Sequence, residues 1–229
     1  MSNLIGIIGA MDIEVNGIIS SMNETTEKTI SGMRFYSGKL FGKDVVVSKC
    51  GVGKVFSAIC AQTMILEFKP NVIINTGVAG ALSKELNILD VVIAKNVVQH
   101  DMDTSAIGDP KGLISGINII YFESDERLVN LMRKSSQNAD CNFVVGTIAT
   151  GDKFVSNGTE KEEIKTCFGA IACEMEGASI AQTCFVNKIP FAIIRAISDG
   201  EGAEMDFATF AELAAGNSVK ITKKFIELF

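Results

Sequence analysis

Short apolar runs, several closed by a glycine or a carboxylate, recur along the whole chain and alternate with longer amphipathic stretches. That alternation restricts the fold more than any other feature. A strand buried on both faces reads as an unbroken apolar run, and the helix that follows it reads as an amphipathic one. The pattern therefore predicts an α/β architecture with a largely internal sheet. Strands are expected at residues 4–8, 44–48, 72–75, 90–94, 143–148 and 191–197, with a shorter one at 170–173 between two helices. Glycines and near-alternation in TISGMRFYSGKLF, residues 29–41, predict an antiparallel hairpin arm that enters the sheet. Helices are expected at 12–22, 54–68, 125–136, 160–166, 177–187 and 207–227, the last with Asp206 as its N-cap. No repeat, low-complexity tract or Pro/Ser-rich linker interrupts the series. A chain of 229 residues, 47% hydrophobic, is thus expected to form one domain over 1–229 around one large core. The least regular stretch, residues 99–122, contains QHDMDTSAIGDPKG, and a loop of this length suits a binding role.

A net charge of -6, a pI near 5.0 and the lack of a basic stripe argue against nucleic acid or an anionic membrane as the main partner. The chain starts directly on an apolar run without a charged leader, and no apolar run is long enough to span a bilayer, so a cytoplasmic location is expected. Six cysteines form no CxxC pair, and His100 is the lone histidine. Reduced, mostly buried thiols and no metal site follow from that distribution.

Three glycine-rich turns are expected after strands, at 9–11, 51–54 and 77–80. Their spacing matches neither GxGxxG nor GxxxxGK[ST], which excludes a dinucleotide or P-loop reading. Four acids, Glu14, Glu174, Glu176 and Asp199, stand where strands end, and the carboxyl edge of an open α/β sheet is where ligands bind. Reduced solvation there raises a carboxyl's pKa and lets it hold or pass a proton. Taken singly, each acid is better explained as a charge favoured at a helix start. Taken alone, Met11 and Phe154 read better as core, and Phe207 equally well as an apolar anchor at a helix start. His100 is expected to order its own loop through Asp101 or Asp103, and Glu174 to be structural, paired with Arg195.

Six blocks in order, GIIGAMDIEV (6–15), GVGKV (51–55), VIINTGVAGAL (72–82), TGDKFV (150–155), EMEGASIAQ (174–182) and IIRAISDG (193–200), cover nearly the whole chain. Together they resemble the methylthioadenosine/S-adenosylhomocysteine nucleosidases. The resemblance implies a three-layer α/β/α domain of the purine nucleoside phosphorylase type with a central mixed sheet. It also implies a homodimer without metal or organic cofactor. The implied reaction is hydrolysis of the N-glycosidic bond of 5'-methylthioadenosine, S-adenosylhomocysteine and 5'-deoxyadenosine. Within it, Asp199 would protonate adenine N7, Glu14 would hold the attacking water, and Glu176 would bond the ribose hydroxyls with Met175 packed on the sugar. Phe154 and Val155 would form the adenine slot, and Ser198 and Arg195 would support the acids. Met11, Val52, Ile107 and Phe207 would line the 5'-substituent pocket, Ile107 from across a dimer interface. The chain departs from the pattern at Val78, where many relatives have serine, and at Ile107, where an aromatic is common. The segment between Asp199 and Phe207 is also shorter than in some relatives.

The arginine census favours water over phosphate as nucleophile. Arg34, Arg127, Arg133 and Arg195 are the whole set, and the segment Asn75-Thr76-Gly77-Val78 lacks the arginine and serine that bacterial nucleoside phosphorylases of the resembled fold place there to balance a phosphate dianion. The competing readings are a phosphate-dependent phosphorylase, an aminodeoxyfutalosine nucleosidase and a non-catalytic purine-binding protein on the same fold.

Overall fold

The computed structural model describes residues 3–137, 139–200 and 203–229. Its strands are β1 (Ile5–Gly9), β2 (Asn23–Ile30), β3 (Met33–Leu40), β4 (Lys43–Lys49), β5 (Val72–Ala81), β6 (Val91–Gln99), β7 (Tyr121–Glu123), β8 (Phe143–Thr150), β9 (Ala170–Glu174) and β10 (Phe191–Asp199). The helices are α1 (Asp12–Ile19), α2 (Lys54–Phe68), α3 (Glu126–Ser136), α4 (Gly158–Phe168), α5 (Gly177–Asn187) and α6 (Ala203–Leu228). All strands belong to one mixed sheet in the order β10-β6-β8-β9-β5-β1-β4-β3-β2, with β7 on β6. An additional pairing of β10 with β5 closes five of these strands into a ring. Helices α2 and α5 pack together on one face, and α1 and α3 pack on α6 across the other. The result is the expected three-layer α/β/α arrangement, with a separate apolar cluster on each side of the sheet.

Burial follows from the sequence. Every residue of β5 and β10 is buried, as continuous apolar strands in the middle of a covered sheet must be. Asp125 caps α3 by accepting from the Leu128 amide at 3.0 Å, and Arg133 and Lys134 oppose the dipole in its last turn. Asn157 caps α4 through the Thr159 amide at 2.8 Å, and Gly169 ends that helix in the left-handed region at φ 61°.

Three expectations need correction. The antiparallel arm is larger than residues 29–41, because β2 begins at Asn23 and the β2–β3 hairpin turns at Ser31–Gly32. Strand β2, NETTEKTI, is an exposed edge of charged and hydroxyl side chains, so no buried face marked it in the sequence. Residues 77–80 are not a turn at all, since β5 runs straight through them. Helix α6 starts at Ala203, which puts Asp206 inside its first turn instead of at the cap. The Asp206 carboxylate instead accepts from the Gly200 amide at 3.2 Å.

The 99–122 stretch contains a single 3-10 turn at Ser105–Ile107, a bridge between Ile114 and Ile119, and the start of β7. All six cysteines are free thiols, four of them buried, with Cys141 half-buried and Cys167 exposed. No described helix is long and apolar enough to cross a membrane, and among the described residues no cluster of His, Cys, Asp and Glu could hold a metal ion.

Candidate active site

The carboxyl ends of β1, β9 and β10, the second half of β5 and the starts of α1 and α5 converge on a cavity of about 170 Å³. Glu14, Glu176 and Asp199 all line it, and all three are almost completely buried. Carboxyls so far from water must be compensated or protonated. The three are treated differently.

Glu14, in the first turn of α1, is ringed by backbone donors. One carboxylate oxygen accepts from the amides of Ala10 (2.6 Å) and Met11 (3.0 Å), and the other from the amide of Val78 (3.0 Å). Burial pushes its pKa up, while Arg195 and the three amides pull the other way. Among the described residues no backbone amide donates to the carboxyl of Asp199, at the end of β10. Its Oδ1 accepts from the Ser198 hydroxyl at 2.8 Å, and burial holds its pKa above the usual aspartate range. A Cβ on Gly80 would lie 2.7 Å from Asp199 Oδ2, so glycine makes the room this carboxyl occupies.

Behind the cavity wall lies Arg195, with no exposed surface. Its Nη2 donates to Asn75 Oδ1 at 2.7 Å and to Glu174, and stands 3.5 Å from Glu176 Oε2. Glu174 also accepts from Thr150 and from the amides of Glu176 (3.0 Å) and Gly177 (2.8 Å). It is therefore the structural partner of Arg195, as expected. Glu176, at the N-terminus of α5, accepts from the Gly53 amide at 2.9 Å. Burial raises its pKa, repulsion from Glu174 adds to the rise, and Arg195 opposes both.

Opposite the acids, Phe154 and Phe207 meet edge to face with ring centroids 5.5 Å apart. Phe154 is half-exposed and Val155 beside it is buried. Met11, Val52, Val78, Met175 and Ser198 complete much of the lining. The structure thus brings together every residue singled out from the sequence except two. Arg195 sits one layer back. Ile107, 81% exposed on the 3-10 turn, does not reach the cavity of its own chain. None of the lining residues comes from 99–122, so within one chain that loop is not part of the site.

His100 does not order its loop as expected. Its Nε2 is buried without a hydrogen-bond partner against Gly151, and burial lowers its pKa. Asp101 does that work, accepting from Lys54 Nζ (2.6 Å) and the Asp152 amide (2.9 Å), while Asp103 accepts from the Ser105 amide. Lys153, whose ammonium pairs with Glu160 at 2.7 Å, lines the cavity and was not anticipated, nor was Lys161 beside Asp199. Lys161 had a legible signal. It shares the buried face of α4 with Ile164 and Phe168, so it is a lysine standing in an apolar stripe.

Known proteins match the chain from end to end. A family model described as the phosphorylase superfamily matches residues 4–227. The 5'-methylthioadenosine/S-adenosylhomocysteine nucleosidase of Staphylococcus aureus is 41% identical over 219 residues, 94% of this chain and 95% of that one. Among solved structures, the nucleosidase of the same name from Neisseria meningitidis, in complex with methylthio-immucillin-A, superposes with a TM-score of 0.96. It is 34% identical and the match covers 99% of this chain and 100% of that one. Futalosine hydrolase of Helicobacter pylori is similar to the same degree, with a TM-score of 0.95, 36% identity, and coverage of 100% and 99%.

The burial of Arg195 leads to a stability prediction. Arg195→Met leaves Glu174 and Glu176 without their cation and should cost about 3–5 kcal/mol at pH 7. With the cation gone, folded Glu176 holds its proton still more tightly than the unfolded chain does, whose ordinary glutamate value is 4.5. Between those two pKa values the folded state binds more protons, so the variant gains stability as pH falls through that window. Urea midpoints at pH 7 and pH 5 check this, and a deficit that is equal at both would contradict it.

Proposed function

Because the chain belongs to the phosphorylase superfamily, and within it to the 5'-methylthioadenosine/S-adenosylhomocysteine nucleosidases, we propose that it hydrolyses 5'-methylthioadenosine, S-adenosylhomocysteine and 5'-deoxyadenosine. The products would be adenine and the 5'-substituted ribose. One observation carries this reading: three buried carboxyls face a single apolar cavity, one of them ringed by anion-stabilising donors and another left to hold a proton.

Breaking C1'–N9 places positive charge on the ribose and negative charge on the departing adenine. Asp199, kept protonated by burial, delivers its proton to N7 and neutralises the leaving group. Glu14 works in the opposite state. Its backbone amides and the nearby guanidinium favour the anion, which orients water towards C1' and stabilises the oxocarbenium-like centre. Two carboxyls in one site with opposed tasks require environments that separate their titrations.

Glu176 accepts from the ribose hydroxyls and Met175 packs on the sugar. Phe154 stacks on the adenine while the Val155 backbone bonds its edge. Met11, Val52 and Phe207 enclose the 5'-substituent, and Val78 brings only its methyls to the side where many relatives have a hydroxyl. Ser198, in the cavity wall, and Arg195, one layer back, hold the acids in place.

The nucleophile is water. Arg195, the arginine nearest the cavity, is taken up by Glu174, Asn75 and Glu176, and Arg34 and Arg127 sit at Tyr36 and Asp125 outside the lining. A phosphate dianion would find Lys153, already paired with Glu160, and little else. A purely binding role is disfavoured because each buried, incompletely compensated carboxyl costs stability that binding alone does not require. The likeness to futalosine hydrolase supports a second substrate, aminodeoxyfutalosine, whose adenine-ribose half presents the same chemistry. The cavity mouth at half-exposed Val52 and Phe154 leaves room for a larger 5'-group.

The active unit is a homodimer. Helix α2 exposes Val55, Phe56, Ile59 and Leu66, and the end of α5 exposes Phe185 and Val186, continuing from Val52 at the cavity mouth. Such a stripe calls for cover. Ile107 is exposed enough to reach a partner's 5'-pocket.

Three outcomes are expected. Adenine is released from each nucleoside at the same rate with and without phosphate, in a coupled absorbance assay; release only with phosphate would make the chain a phosphorylase. Asp199→Asn lowers kcat by at least about 10²-fold with ligand affinity retained, and near-normal turnover would remove the acid assignment. Sedimentation velocity gives a dimer at assay concentrations, and a catalytically competent monomer would contradict the shared pocket.

A further inference from the structure

Asp199 is not alone at the end of β10. Lys161, on the inner face of α4, is buried, and its Nζ donates to the Gly200 carbonyl at 2.5 Å while standing 3.7 Å from Asp199 Oδ2. A buried ammonium needs compensating partners, and a lysine gives up rotameric freedom to be held. The ammonium finds its partners at one place, the Asp199 carboxyl and the Gly200 carbonyl next to it. From the other side Asp206 of α6 accepts from the Gly200 amide, so the turn after Asp199 is gripped at both its polar groups.

We propose that Lys161 is a positioning residue for the departing base: it fixes the turn that carries Asp199 and supplies the charge that receives the carboxylate once its proton has gone to adenine. The inference rests on the acid role of Asp199 given above. The balance is simple. Asp199 loses its proton to N7, the C1'–N9 bond breaks with its electrons on the base, and the aspartate left behind gains a cation within 4 Å in place of bulk water. In the ground state Ser198 binds Oδ1, which leaves Oδ2, the oxygen towards Lys161, as the one where the new charge is best tolerated.

The charged groups around Asp199 bear this out. From α4 Lys161 favours the anion, from α6 Asp206 opposes it, and the Cys173 thiol on β9 is pushed up to about 12 and stays neutral. β5 brings no titratable group to the lining, only Val78, Ala79 and Gly80. Burial is the largest influence and raises the Asp199 pKa, while Lys161 limits how weak an acid it becomes. An acid held too tightly to its proton transfers it slowly.

The test is the pH dependence of kcat and kcat/KM for adenine release from 5'-methylthioadenosine in K161M, K161Q and K161R. Without the cation Asp199 keeps its proton to higher pH, so the alkaline limb should move up by about one unit. Turnover at the plateau should fall roughly ten-fold in K161M and K161Q, because the acid is weaker and its conjugate base unsupported. K161R keeps the charge and should restore the limb and most of the turnover. An unmoved limb in both neutral variants, or K161R as impaired as K161M, overturns the proposal. So does failure of both neutral variants to fold, judged by circular dichroism, since Lys161 would then be a structural residue only. The unsubstituted chain run alongside separates the two levels. No release there removes the nucleosidase reading itself, whereas normal release with an unmoved limb in the variants removes only the role of Lys161.

Discussion

A guanidinium with no exposed surface is the constraint around which the site is organised. Withdrawing Arg195 from water costs several kcal/mol, and the structure meets that cost with Asn75 on β5 and with Glu174 and Glu176 at the β9–α5 junction. Each of those partners fixes something else. Glu174 binds the first amides of α5 and so aims Glu176 into the cavity. Asn75 ties the centre of β5 to β1 by donating to the Ile8 carbonyl at 2.9 Å. Gly77 is dictated by the same packing, because a Cβ there would lie 2.5 Å from Glu14 Oε1 and clash with the guanidinium. The glycines of β5 are thus spaces for charged side chains.

The positive centre also divides the acids. Burial raises the pKa of both Glu14 and Glu176, but both lie within its field and have backbone amides to accept from, which pull back towards the carboxylate. Asp199 lies beyond it, where burial raises its pKa against the pull of a serine hydroxyl and a lysine at 3.7 Å. One buried frame can therefore support an acid and an anion a few side chains apart. Phe154 and Phe207, edge to face, give the cavity an apolar wall opposite these acids.

The sequence made the buried strands and most site residues legible, because a strand covered on both faces must be apolar and an acid closing such a strand is conspicuous. Asp199 closes β10 in that way, whereas Glu14 and Glu176 stand in the first turn of α1 and at the start of α5, and the roles expected of all three came from the six-block resemblance. What escaped detection did so for physical reasons. Strand β2 is a solvated edge without a buried face. The glycines at 77–80 look like a turn when the charges that need their space come from β10 and α1. Lys161 is hidden in TEKEEIKT, which reads as a solvated helix surface until its position on the Ile164–Phe168 face is noticed. His100 stood out as the lone histidine and proved to be a packed ring without an Nε2 partner. The closing of β10 onto β5 depends on long-range pairing that no local period reports.

The central claim is that Asp199 carries a proton at neutral pH while serving a cavity of charged neighbours. Carbon-13 NMR of side-chain-labelled aspartate carboxyls, with Asp199 identified by its loss in D199N, measures that proton directly. The account predicts a titration midpoint for Asp199 displaced well above the ordinary value of 3.8. A carboxyl that titrates at or below that value would be an anion at working pH, and the acid at N7 would have to be another group.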